Sequence, residues 1–166
     1  MKELKKSAVR QICTLWFLLF TALPATAQVD KMPSFGLTLT NGKQFATSAL
    51  SKDRPILLVY FAPDCDHCIT FLNSLFKDFE AFRRTHVLLV TFKPVKDLIP
   101  IERTYGTSRY KNIIVGSELK PLFLQVHYRL QNTPYVALYD KNSILIRAYK
   151  KDAPVKELAK LAGGLK

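Results

Sequence analysis

The chain has 166 residues, of which 48% are hydrophobic and 23% charged, with 25 Lys and Arg against 13 Asp and Glu, nine Pro, six Gly and three Cys. That length suits one compact domain that buries a core without disulfide staples, and abundant apolar residues with no recurring period exclude collagen-like, coiled-coil, low-complexity and disordered classes. The formal net charge of +12 leaves nucleic acid, an anionic membrane surface, acidic partners and plain solubility open.

Residues 1–27 read as an export leader. Lys2, Lys5, Lys6 and Arg10 form a basic head, Ile12 to Leu23 is an apolar run too short for a comfortable membrane span, and Pro24 precedes Ala25-Thr26-Ala27, the small-residue pattern of a cleavage site. If retained, the same run would act as an N-terminal anchor and associate the protein with a membrane, but extending it back to Ala8 would bury Arg10 and Gln11. Cys13 stands at the front of the run and not just behind it, so it is not placed as a lipoprotein acylation site. Setting aside Lys2, Glu3, Lys5, Lys6 and Arg10 reduces the 25 basic and 13 acidic residues to 21 and 12, a net of +9. The expected domain is 28–166, exported, in the periplasm of a Gram-negative bacterium.

Within that domain, Leu37 to Phe45 alternates around Asn41-Gly42, a hairpin signal. Pro55 to Ala62 is a continuous apolar, β-rich run that predicts a strand buried on both faces, and Pro63 and Asp64 break it. From Cys65 the period becomes helical: Cys68, Phe71, Leu72, Leu75, Phe76 and Phe79 form one stripe, with Asn73, Lys77, Asp78 and Glu80 mostly opposite. Asp64 is the expected N-cap, and the helix is expected to end near Arg84. Val87 to Phe92 predicts a second buried strand, completing a right-handed parallel βαβ unit. Beyond it, Lys96 to Thr104 reads as helix and Asn112 to Val115 as a short strand. Glu118 to Leu130 reads as a helix with Leu119, Leu122, Phe123, Val126 and Leu130 inward. Tyr135 to Tyr139 and Ile144 to Tyr149, joined by Asp140-Lys141-Asn142-Ser143, predict a hairpin. Asp152 is the expected cap of a last helix from Pro154 to Ala162, ended by Gly163-Gly164.

Without Cys13 two cysteines remain, Cys65 and Cys68, in a chain expected to meet an oxidising compartment. A loop of this spacing closes almost nothing, so the pair is a poor staple. On the first turn of a helix, however, the two sulfurs are surface neighbours, and the unpaired N–H groups and dipole of the helix start favour a thiolate. Cys65, at the open end, is the expected nucleophile. Cys68, one turn in and on the apolar stripe, is the expected resolving thiol. An imidazolium at His67 would further stabilise the thiolate, whereas Asp64 and Asp66 act in the opposite direction.

The stretch Phe61-Ala62-Pro63-Asp64-Cys65-Asp66-His67-Cys68 behind a buried strand resembles the active site of the thioredoxin superfamily. Together with the leader, the segment Phe35 to Phe45 and the long stretch before Pro134, it resembles the extracytoplasmic TlpA-like or redoxin-type thiol-disulfide oxidoreductases. The resemblance implies an α/β fold with a central mixed β-sheet flanked by helices, an N-terminal β-hairpin, and a strand-helix insertion ahead of a cis-proline. It implies that Thr133 and Pro134 occupy the cis-proline position beside the cysteines and offer backbone groups to an extended substrate. Read from the residues alone, Pro134 simply starts a strand.

Three departures stand out. Where thioredoxins carry Trp immediately before the first cysteine and a buried Asp six residues before it, this chain has Asp64 and Val59. The dipeptide Asp66-His67 replaces Gly-Pro, and a His before the second cysteine is a feature of oxidases and isomerases. His86 and His127 could join the pair in copper delivery, but copper carriers of this kind separate their cysteines by three residues, not two; His86 reads as a strand-edge residue and His127 as solvent-facing. No second pair supplies a zinc site, no lone peroxidatic cysteine is present, and the dispersed Lys and Arg give nucleic-acid binding no support. Tyr105, Tyr110 and Phe123 read as core or rim.

The expectation is an extracytoplasmic enzyme that exchanges a Cys65–Cys68 dithiol with protein thiols and disulfides, most simply as a reductase served by an upstream redox partner, with no cofactor and no metal. Disulfide formation or isomerisation is the alternative. From another class, metal delivery or a binding module on the same fold also stays open.

Overall fold

The computed structural model describes residues 30–165; the expected leader and Cys13 lie outside the described residues. The strands are Gly36–Leu39 (β1), Gln44–Ala46 (β2), Ile56–Tyr60 (β3), His86–Thr91 (β4), Ile113–Glu118 (β5), Tyr135–Tyr139 (β6) and Leu145–Tyr149 (β7). The α-helices are Asp66–Lys77 (α1), Leu98–Tyr105 (α2), Phe123–His127 (α3) and Val155–Gly164 (α4). Among the described residues the seven strands form one mixed sheet in the order β2-β1-β5-β4-β3-β6-β7. β3 runs parallel to β4, and β4 to β5, while β6 and β1 pair antiparallel on either side of this trio. The βαβ unit and both hairpins are as expected, and the N-terminal hairpin extends the sheet through β1 on β5.

Every residue of β3 is buried, which is why it carries no polar alternation. Leu57, Val59 and Phe61 face α1, α2 and α4, meeting Phe71, Leu72 and Leu75 of α1 and Leu158 of α4. Ile56, Leu58 and Tyr60 face the other way, under Met32, Phe35, Leu124 and Leu130. Complete burial of each such Leu or Phe is worth roughly 1.5–3 kcal/mol. Gly116 is the residue this sheet needs at the β5–β1 crossing: a Cβ there would meet Leu37 Cβ at 3.0 Å and the Thr38 carbonyl at 3.1 Å.

Several expectations need correction. Helix α1 is capped by Cys65, not Asp64, and stops at Lys77; a 3-10 turn at Phe79–Phe82 then carries both phenylalanines into the core. The expected helix over Glu118–Leu130 is mostly not one. Pairing with β1 keeps the chain extended through Glu118, opposite Leu37, and the Leu119 amide continues the ladder to the Gly36 carbonyl. Pro121 then brings no N–H to a helix, and α3 is left with five residues. Leu119, Leu122 and Val126 are exposed, and Leu124 and Leu130 are the buried ones. Finally, Pro154 and not Asp152 precedes α4, no side chain caps it, and it runs through Gly163 to Gly164.

Segment 119–130 holds two non-glycine residues in the left-handed region, Leu122 (φ 58°) before α3 and Arg129 (φ 51°) after it. Such a residue costs on the order of 1–2 kcal/mol. The neighbouring contacts therefore hold this segment against its own backbone preference.

Candidate active site

The cysteine loop leaves the C-terminal end of β3, between the ends of β4 and β6. The Phe61 amide donates to the Val90 carbonyl at 2.9 Å and the Cys65 amide to the Ala62 carbonyl at 3.2 Å, so Pro63 and Asp64 form a tight turn delivering Cys65 to the helix start. Cys65 is extended (φ −109°, ψ 115°), and its sulfur accepts the Cys68 amide at 3.3 Å. The sulfur thus occupies the place of an N-cap oxygen, aimed at unpaired helix amides.

Across the site, Thr133-Pro134 is a cis peptide at the head of β6, and the Cys65 sulfur lies 3.6 Å from the Thr133 carbonyl oxygen. The structure therefore brings Cys65, Cys68, Thr133 and Pro134 together. Cys65 is partly exposed, Cys68 fully buried, and both are free thiols.

The two thiols are driven apart electrostatically. Burial raises the Cys65 pKa, but hydrogen bonds from the Cys68 thiol, the Thr133 side chain and the backbone amides of Cys68 and His67 outweigh it, and the net shift is below an ordinary thiol. For Cys68 burial dominates, with the hydrogen bond to Cys65 and the charge of Cys65 adding to it, and its pKa is pushed up to about 12. At neutral pH Cys65 is the thiol closer to being a nucleophile.

The flanking residues act differently from the expectation. Asp64 forms an ion pair with Lys93 at 2.8 Å, and the Lys93 ammonium holds its carboxyl below the usual range. Asp66 is exposed in the first turn of α1, where a carboxylate suits the helix dipole. His67 contributes to lowering the Cys65 pKa through its backbone amide. Its exposed side chain lines an open groove of about 380 Å³ with Phe71, Lys151 and Pro154.

Lys93 was not legible as a site residue. Its signal was topological: it lies two residues past the end of β4, the parallel neighbour of β3, and so arrives at the same end of the sheet.

His86 and His127 lie elsewhere. His86 opens β4 and contacts Ser51 at 2.9 Å, with Asp53 at 3.6 Å. His127 is exposed on α3 and stacks on Phe123. Among the described residues no three His, Cys, Asp or Glu side chains are grouped to hold a metal ion.

No family model and no curated relative matches this chain. Solved structures do. An exposed lipoprotein thioredoxin from Streptococcus pneumoniae is 20% identical, with a TM-score of 0.60 over 80% of this chain and 100% of that one. A thiol-disulfide oxidoreductase from Bacteroides fragilis is 17% identical, with a TM-score of 0.61 over 80% and 99%. A thiol peroxidase from Chromobacterium violaceum is 16% identical, with a TM-score of 0.60 over 80% and 83%. Likeness at this identity is a likeness of architecture, and with the mixed sheet, the cysteine loop behind β3 and the cis-proline at β6, it makes this chain a thioredoxin-fold protein.

Proposed function

We propose that the protein is an extracytoplasmic thiol-disulfide oxidoreductase that reduces disulfides of protein substrates. The observation that carries the proposal is the asymmetry of the pair: an accessible, helix-capping Cys65 with a lowered pKa next to a buried Cys68 with a raised one, under Thr133. The Cys65 thiolate attacks one sulfur of the substrate disulfide, that bond breaks, and the other substrate sulfur leaves as a thiolate and takes a proton. The Cys65 sulfur is now neutral and bonded, so the hydrogen bond and charge that helped hold Cys68 protonated are gone. Cys68 loses its proton and attacks the Cys65 sulfur, the second substrate thiol departs, and two electrons have passed to the substrate. A second dithiol protein must return the Cys65–Cys68 disulfide to the reduced state.

Export rests on the leader-like residues 1–27 and is compatible with the lipoprotein neighbour, itself described as exposed. One observation favours the reverse direction: hydrogen bonds that stabilise the Cys65 thiolate also stabilise the reduced form, which makes the disulfide more oxidising.

The test is a pair of traps. Cys68→Ser should accumulate mixed disulfides between Cys65 and partner proteins in cells, and Cys65→Ser should accumulate none. Absence of capture by both, together with an ordinary thiol titration for Cys65, would refute the enzymatic reading. Equilibration with glutathione separates the directions: a potential well below that of the glutathione pool supports the reductase, and one above it supports the oxidase.

A further inference from the structure

Glu118 is the buried carboxylate among the described residues, 7% exposed, on the face of the sheet opposite Cys68. The exchange chemistry does not use it, yet both its oxygens are committed. One accepts the Tyr60 hydroxyl at 3.1 Å, and the other accepts the Leu124 amide at 2.6 Å. Burial nevertheless raises its pKa.

The two partners are the starting points of the two arms of the dithiol site. Tyr60 is the last residue of β3, directly ahead of the loop that ends in Cys65, and it pairs in the sheet with Tyr135, which directly follows Pro134. Leu124 lies in the first turn of α3, and the chain from α3 leads through Leu130 to Thr133. Just before Leu124 the backbone is in the left-handed conformation at Leu122, which a side chain does not favour. A carboxylate receiving amides at that bend offsets the cost and holds the bend in place. The adjacent Ser117 points the same way, its hydroxyl donating to the Lys93 carbonyl at 2.7 Å, while Lys93 holds Asp64 beside Cys65.

We propose that Glu118 is a positioning residue of the dithiol site, fixing the Thr133 arm relative to the Cys65 arm through Tyr60 and the first turn of α3. The proposal rests on the dithiol reading above and adds the residue that sets its geometry. Thr133 supplies part of what lowers the Cys65 pKa. Releasing the Thr133 arm therefore makes Cys65 a more ordinary thiol without touching either cysteine.

The test measures the pH profile of Cys65 alkylation by iodoacetamide in the full chain, read by mass spectrometry of the Cys65 peptide, with thermal unfolding alongside. Glu118→Leu fills the space without an acceptor and should slow Cys65 alkylation at neutral pH about tenfold, the effect of one pKa unit on the thiolate fraction. Glu118→Gln keeps an oxygen for Leu124 and offers its amide to the Tyr60 oxygen, so its profile should stay within about twofold of the parent. A folded Glu118→Leu protein with the parent profile would make Glu118 a space-filler and overturn the proposal. Should Glu118→Leu fail to fold, Tyr60→Phe decides: deleting one arm should slow alkylation about threefold, and an unchanged profile overturns the proposal. A parent protein whose Cys65 titrates as an ordinary thiol refutes the dithiol reading itself, and the positioning role falls with it.

Discussion

Two segments of this chain carry a helical apolar period, Cys65–Phe79 and Glu118–Leu130, and one of them became a long helix while the other became a strand end, a bend and five helical residues. Helix α1 has everything a helix needs locally. A cap is available at Cys65, no proline interrupts it, and its stripe of Phe71, Leu72 and Leu75 meets a sheet face already waiting for it. The second segment begins inside β5, where pairing with β1 competes for the same backbone groups, and it meets Pro121 within its first turn. A periodic pattern therefore reports a helix only where the backbone is not claimed by a sheet edge.

That contrast can be attacked by mutation. Leu75→Ala removes a fully buried side chain from α1 and should cost about 2–5 kcal/mol in chemical denaturation. Val126→Ala, at 75% exposure, should stay within about 0.5 kcal/mol; a loss as large as that of Leu75→Ala would restore the long-helix reading of 118–130. Leu122→Gly should raise stability by about 1 kcal/mol, because glycine accepts the left-handed backbone that Leu122 is held in and little side-chain burial is lost. A destabilised glycine variant would show that the bend is not strained.

The same two segments should differ in their response to pH. The folded-state pKa of Glu118 is raised, so its protonated form is favoured in the fold: the associated stability is fully present below the unfolded value and is lost as pH rises through the folded value. Melting temperatures across the mildly acidic range should show this decline in the parent and lose it in Glu118→Gln. The smallest effect concerns Lys93. Lys93→Gln leaves the Asp64 carboxylate unpaired beside Cys65 and should slow Cys65 alkylation by less than about threefold, an effect that fades at high salt.

The cysteine half of the site was legible because its determinants are local. A buried strand, a break at Pro63-Asp64, and two thiols on the first turn of a helix follow one another in the sequence. The cap is the exception: Asp64 is a good capping residue by type but is drawn to Lys93, which only the β3–β4 pairing brings within 2.8 Å. At His67, the backbone amide at the helix start is one of the groups that lower the Cys65 pKa.

By itself, the sequence determined the candidate cysteine pair, the strand and helix that present it, and the order of elements around it, because hydrophobic period and local turn residues act over a few neighbours. Only the tertiary structure decided how Cys65 and Cys68 come to differ. Burial of one sulfur, the approach of Thr133 from a strand far along the chain, and the buried Glu118 behind Tyr60 all depend on which strands lie side by side. Desolvation and hydrogen bonding are fixed by those neighbours in space, and no spacing along the chain encodes them.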